Sequence, residues 1–388
     1  MNISELKKLV EKGFTSLRKR DNRQARELFQ VVIETGAADA TTWLGMAHAS
    51  SRLGDDAAVV NATDEALKLE PDNLRALLFK ADYLTQKSQP RRAMVYYQRA
   101  LQCSGTAGEL PQDVVVGLQR AEQICADRDR EYQSFLTQKL RSGGYTPAPA
   151  NTRFQQSLDI LFGAKRVYYQ EPRRYYFPGL PQIEFYERDQ FPWAADLEAN
   201  TPGIREELDR VMTDPRRFSP YLSSTSEDVG SYGGELIDSN DWGTLYLWDH
   251  GRFAAENSAE FPLTLGAFDT VPLLEIPQQS PMLLFSRLTA GTHVPPHHGM
   301  LNTRLICHLP VIVPEHCGAL RVGNQQRSWV EGEMLVFDDS IEHEAWNTSA
   351  AERVVLLFEI WRPELNEEER RLVTDLLMAV EDYSASDT

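Results

Sequence analysis

The sequence predicts a chain of mixed class, α followed by all-β. Helical repeats are expected over residues 1–105, a linking helix and Gly/Pro linker over 106–150, and a β-sandwich or barrel over 151–388. Three observations carry this division. Small and apolar residues recur every 34 positions in the first third of the chain. Beyond Asn151 the texture changes to short apolar runs broken by Gly, Pro and Asn. Seven of the eight histidines fall in that second half, between His250 and His343.

The repeat shows when windows are started at Leu6, Ala40 and Leu74. Their eighth positions are Gly13, Ala47 and Ala81, their twentieth Ala25, Val59 and Ala93, and their twenty-seventh Val32, Ala66 and Ala100. Phe29 and Tyr97 share the twenty-fourth position of the outer windows, and Pro71 falls where a unit ends. Small residues at fixed places let antiparallel helices approach closely, and the aromatic fills the gap between hairpins. The pattern resembles the tetratricopeptide repeat, with Trp43 at the aromatic position of the second unit. That resemblance implies a concave surface for an extended peptide or partner protein; a plain amphipathic bundle is the alternative.

From Pro111 to about Leu140 the apolar residues stand three to four apart, which predicts one helix. Gly143, Gly144, Pro147 and Pro149 break it and mark the domain boundary. The runs that follow, TLYLW, PMLLFSRL, TRLICHLPVIV, EMLVFDD and RVVLLFEIW, have the length and spacing of strands. The closing NEEERRLVTDLLMAVEDY reads as a capped amphipathic helix packed on them.

Bulk properties exclude some functions. A formal net charge of −17 argues against nucleic acid as partner and against docking on an anionic membrane. The start of the chain, MNISELKKLVEKGF, has no apolar core of signal-peptide length, and no run could span a bilayer. Cys103, Cys125, Cys307 and Cys317 lack CxxC spacing and read as free thiols of a reducing compartment, so the cytoplasm is expected.

Two segments concentrate the chemistry. Gly291-Thr-His-Val-Pro-Pro-His297-His298-Gly299 follows the strand PMLLFSRL, and Phe337-Asp-Asp-Ser-Ile-Glu-His343 follows EMLVF. Imidazoles at the ends of strands suit a metal, with zinc and iron both open and His293 and His298 as competing ligands beside His297. Arg353, ten residues past His343, heads the next strand and offers either a bidentate fork for a ligand carboxylate or one half of a surface salt bridge.

The segments FSRLTAGTHVPPHHG, NTRLICHL, FDDSIEHEAWN and IWRPEL resemble the aspartyl/asparaginyl β-hydroxylase family of 2-oxoglutarate oxygenases. QEPRRYYFPGLP and TLYLWDHGR are similar to that family's lead-in, so the likeness covers roughly residues 150 to 366. It implies a double-stranded β-helix, or jelly roll, with His297 and His343 binding Fe(II). Ser286 and Arg353 would hold the distal carboxylate of the cosubstrate 2-oxoglutarate, His308 would stand near its other end, and Trp248 would line the same pocket. Arg304 would face a carboxylate of substrate or cosubstrate. Gly299 stands where the facial triad of other non-haem iron sites has its carboxylate. The resemblance implies that water takes that position and that Asp339 holds the water. Ile306 replaces a second arginine usual in aspartyl hydroxylases.

The expected function is therefore O2-dependent hydroxylation of the β-carbon of Asp or Asn in a protein or peptide recruited by the helical array. A free amino acid or other small metabolite is the alternative substrate, a lipid a more distant one, and a non-catalytic repeat scaffold with a degenerate barrel the rival of another class.

Overall fold

The computed structural model of the chain describes residues 2–105, 109–146, 153–224 and 234–386; Pro147 and Pro149 of the expected linker lie outside them. Two units separate, Met1–Pro147 and Ala148–Thr388.

Helix starts in the first unit follow from its polar residues. α1 (Ile3–Arg18) begins at a capping box, in which Asn2 and Glu5 each accept the other's backbone N–H. Asp21 and Asp55 cap α2 (Asn22–Glu34) and α4 (Asp56–Leu69), while Asp39 and Asn73 cap α3 (Ala40–Leu53) and α5 (Leu74–Gln86). Within each pair the caps stand 34 residues apart, so helix starts share the period of the apolar positions. α6 (Pro90–Ser104) has no side-chain cap and starts on Pro90, where the missing N–H leaves no bond unmade.

All nine positions of the repeat are buried. A β-carbon on Gly13 or Gly45 would meet the Phe29 ring at 2.7 or 2.5 Å, so glycine there lets α1 and α3 close over the aromatic. α7 (Gln112–Ser142) buries its first half through Val114, Gly117, Leu118, Ala121 and Cys125.

The second unit opens with α8 (Arg153–Leu161) and an irregular lead-in. Its strands are β1 (Phe185–Tyr186), β2 (Ser219–Pro220), β3 (Trp242–Asp249), β4 (Arg252–Phe253), β5 (Leu283–Leu288) and β6 (His293–His297). They continue as β7 (Arg304–Ile312), β8 (Ala319–Val322), β9 (Gln325–Ser328), β10 (Leu335–Phe337), β11 (His343–Trp346) and β12 (Arg353–Trp361). One antiparallel sheet runs β1-β10-β7-β12-β5-β3-β2, with β4 on β3; the second runs β6-β11-β8-β9.

Residue parity sorts the larger sheet into two faces. Leu305, Cys307 and Leu309 of β7, with Val354, Leu356 and Phe358 of β12, join a core roofed by α9 (Ala194–Ala199) and α10 (Thr201–Val211). The short α11 (Ala255–Ser258) and α12 (Pro262–Gly266) follow β4 on the chain, and Glu207 of α10 accepts the Leu263 and Thr264 N–H groups that open α12. The opposite parity, Ile306, Leu284, Leu288, Val355 and Leu357, joins Val294, Leu320 and Ala345 of the smaller sheet in a second core between the sheets. α13 (Glu367–Ser386) packs Val373 and Leu377 on Leu274, Ile276 and Leu301. Among the described residues no helix is long and apolar enough to cross a membrane.

A buried ion pair ties the lead-in to this frame. Arg362 donates to Asp338 at 2.7 Å, to the Pro181 carbonyl at 2.6 Å and to the Tyr186 hydroxyl at 2.6 Å, with neither partner of the ion pair exposed. Removing one member strands the other, so Arg362→Ala should cost about 3–5 kcal/mol, read from urea unfolding. Asp338→Asn added to that variant should recover part of the loss; no recovery would show that the cost lies in packing.

Candidate active site

β6 and β11 are neighbours in the smaller sheet, and their register places His297 opposite His343. The two rings lie 4.0 Å apart between centroids. His297 Nδ1 stands 2.8 Å from the Pro295 carbonyl and His343 Nδ1 3.0 Å from the Ile341 carbonyl, so in each ring Nδ1–H donates to backbone. That fixes one tautomer in both and makes Nε2 the nitrogen that would meet a metal. Burial lowers the His343 pKa to about 4 and carries His297 well below the ordinary value. Both are therefore neutral at physiological pH and need lose no proton to ligate.

The same burial couples the fold to pH. His297, His308 and His343 stay neutral in the folded chain below 6.5, whereas unfolded histidines protonate there. The unfolded state then binds more protons, so stability should fall as pH drops from 6.5 toward 4. Urea midpoints of the metal-free protein at pH 7 and pH 5 (about 6 ± 1 on the scale where histidine titrates) test this, and His308→Asn should flatten the slope.

Gly299 explains where a carboxylate comes from. A β-carbon there would lie 1.9 Å from Asp339 Oδ2, so the Asp339 carboxylate fills the space that a side chain at 299 would enter. It arrives from the loop before β11, held by Arg304 at 2.8 Å, and its Oδ1 is buried without a hydrogen-bond partner. No group of three or more His, Cys, Asp or Glu among the described residues gathers as a metal cage. Two imidazoles and an adjacent acceptor are what these residues offer, a donor set that fits iron completed by small molecules.

Arg353 lies on the inner face of the larger sheet. It is fully buried, its guanidinium 4.6 Å over the Trp329 ring, and its NH1 donates to the Ser286 carbonyl at 3.4 Å. Its Nε is buried without a partner, and no carboxylate pairs with it among the described residues. Burial lowers its pKa to about 10, which still leaves it a cation at neutral pH. His308, two strand positions from Ile306, stacks on Trp329 at 5.6 Å and packs edge-on to Phe337, with Nδ1 buried and unbonded. Ser286 accepts from Trp242 Nε1 at 3.2 Å.

Two expectations need correcting. Trp248 does not line this space: it packs on the helix-covered core and edge-on to Phe253. The register of β3 against β5 shifts between Tyr246 and Trp248, and this bulge turns Trp248 to the other face. Trp242 stands in its place, bonded to Ser286, 6.3 Å from the His297 ring and stacked on Tyr221. Arg304 does not offer a bare charge to a ligand. It is clamped between Asp339 at 2.8 Å and Glu359 at 2.6 Å, and these two outweigh the effect of burial to hold its pKa above the ordinary value. His293 is 52% exposed and pairs with Glu344, away from the facing imidazoles.

Residues 198–363 match the family model described as aspartyl/asparaginyl beta-hydroxylase. This part of the chain is similar to the aspartyl/asparaginyl β-hydroxylase family. An ornithine lipid ester-linked acyl 2-hydroxylase of Rhizobium tropici is 36% identical over 180 residues, 46% of this chain and 60% of that protein. The Mus musculus aspartyl/asparaginyl beta-hydroxylase is 36% identical over 141 residues, 35% of this chain and 18% of its own length. Aspartate beta-hydroxylase domain-containing protein 2 of Xenopus tropicalis is 28% identical over 53% of this chain and 55% of its own. The chain thus spans 60% or less of each of these relatives. A Pseudomonas putida prolyl-4-hydroxylase structure aligns at 18% identity over 47% of this chain and 91% of its own, with a TM-score of 0.25, too low to bear on the fold.

Proposed function

We propose that the second unit is a jelly-roll dioxygenase, dependent on Fe(II) and 2-oxoglutarate, that hydroxylates the β-carbon of an Asp or Asn side chain in a protein or peptide. The observation that carries the reading is Arg353, a buried cation with no acid beside it among the described residues, on the same inner face as Ser286. A buried charge is costly unless something pairs with it, and a carboxylate-bearing cosubstrate would do so.

His297 and His343 would hold the iron through Nε2, and Arg353 with Ser286 would take the distal carboxylate of 2-oxoglutarate. His308 would stand near the cosubstrate, and Asp339 Oδ1 would accept a hydrogen bond from a water in the position that Gly299 leaves. Bound there, iron(II) supplies oxidative decarboxylation of 2-oxoglutarate by O2 to succinate and CO2, with one oxygen passing to a C–H bond. The chain's own part is to orient the cosubstrate through Arg353, to fix Asp339 through Arg304, and to exclude water with the apolar walls between the sheets. The helical first unit would be a tetratricopeptide-like array that recruits the substrate. Its free cysteines Cys103 and Cys125, with Cys307 and Cys317 of the second unit, suit a reducing cytoplasm.

Anaerobic addition of Fe(II) and 2-oxoglutarate should give a metal-to-ligand absorption band, and O2 should then release succinate slowly without substrate. His297→Ala should abolish both. No band and no succinate from the wild type would refute the reading.

A further inference from the structure

We infer that the group presented to this site is uncharged, an asparagine-type amide and not an aspartate-type carboxylate; this rests on the dioxygenase reading above. The inward residues of β7 are Arg304, Ile306 and His308, by their period of two. The middle one is apolar and buried with Phe185, Leu335 and Phe337. Among the described residues, the charged side chains on the inner face of the larger sheet and beside His297 are then Arg304, Arg353, Asp339 and Glu359, two cations and two anions. His297 and His343 each donate Nδ1–H to a backbone carbonyl and would ligate through Nε2, so neither adds a charge as a ligand.

Other charges nearby are engaged among themselves. Arg362 is paired with Asp338, Arg321 with Glu342 and Glu344, and Arg173, whose backbone N–H meets the Gly299 carbonyl, has a partner of its own. Iron(II) and the 2-oxoglutarate dianion cancel each other. With both in place the enclosed charge sums to zero, and an incoming carboxylate would be buried with nothing opposite it. Arg304 brings no net positive charge, since Asp339 and Glu359 hold the two ends of its guanidinium and leave Nε as the one nitrogen without a partner. Of the buried atoms here without a partner, Arg353 Nε and His308 Nδ1 are assigned to the cosubstrate above and Arg304 Nε belongs to a guanidinium already neutralised, while Asp339 Oδ1 is an acceptor. It attracts an N–H or a water and repels a second carboxylate.

The test uses the whole chain and two peptide pools that differ only in a central Asn or Asp between degenerate flanks. Each is titrated anaerobically into the protein holding Fe(II) and 2-oxoglutarate, with the shift of the absorption band as the binding readout. O2 is then admitted and oxygen incorporation is followed by mass spectrometry. The Asn pool should shift the band at concentrations at least about tenfold lower, and oxygen should enter that pool alone. Ile306→Arg should narrow or reverse the preference; the wild-type comparison decides the matter if that variant does not fold. An equal or tighter response to the Asp pool overturns the inference. So does a band that neither pool shifts, including the case in which vesicles of acyl lipid shift it instead. Failure of the band to form is a different result, the failure of the dioxygenase reading itself.

Discussion

Arg353→Met is expected to abolish 2-oxoglutarate binding while making the ligand-free protein more stable, by about 1–4 kcal/mol. The two effects have opposite sign because they have one cause. Arg353 is a fully buried cation whose only side-chain polar contact among the described residues is the Ser286 carbonyl at 3.4 Å, and its lowered pKa records the penalty of burial. Methionine keeps much of the volume against Trp329 and removes the charge. Urea unfolding should show the gain, and calorimetric titration with 2-oxoglutarate should show no heat. Arg353→Lys should weaken cosubstrate binding less severely, since the charge remains but the two-pronged geometry is lost. A methionine variant less stable than wild type would mean that the Trp329 stacking outweighs desolvation, and the case for a waiting anion site would weaken with it.

Much of this was legible in the sequence, for identifiable reasons. The resemblance named Ser286 and Arg353 together, and the pairing of β12 with β5, which sets Arg353 opposite Leu288, places both on the inner face. His297 ends β6 and His343 opens β11, and in each case the backbone carbonyl two residues earlier accepts Nδ1–H. The resemblance failed at a bulge. It implies Trp248 in the pocket, but the register shift of β3 against β5 turns that residue to the other face, and the shift depends on a partner strand far away in sequence. Glu359 left a signal that went unread: one acid inside an apolar strand must find a buried cation. Which cation it finds was not legible, because Arg304 meets it only through the pairing of β7 with β12. The capping residues Asp21, Asp39, Asp55 and Asn73 show the same lesson at short range. Each makes a local bond, so their 34-residue spacing could be read directly.

Gly299→Ala is the smallest change expected to disable the site. The added methyl would lie 1.9 Å from Asp339 Oδ2, far inside contact distance, so one of the two must move. Asp339 has little room to yield, being buried and anchored to Arg304, which Glu359 holds from its other side. The overpacking should cost about 1–3 kcal/mol and displace the acceptor from its place beside His297. Iron would then be retained more weakly and uncoupled succinate release would fall. Asp339→Ala in the same background should restore stability by removing the clash, but not turnover, because the acceptor is gone. Moving the carboxylate, with Gly299→Asp and Asp339→Gly together, separates two roles that an Asp339→Ala variant confuses. If the site needs only a negative charge near the histidines, the exchanged protein should bind Fe(II) at least as tightly as wild type, since the acid could now ligate directly. If it needs an open position beside a fixed acceptor, metal should bind and succinate release should still be lost. The geometry around Gly299 favours the second outcome, because Arg304 anchors Asp339 as a fixed acceptor and an acid at 299 would not inherit that anchor.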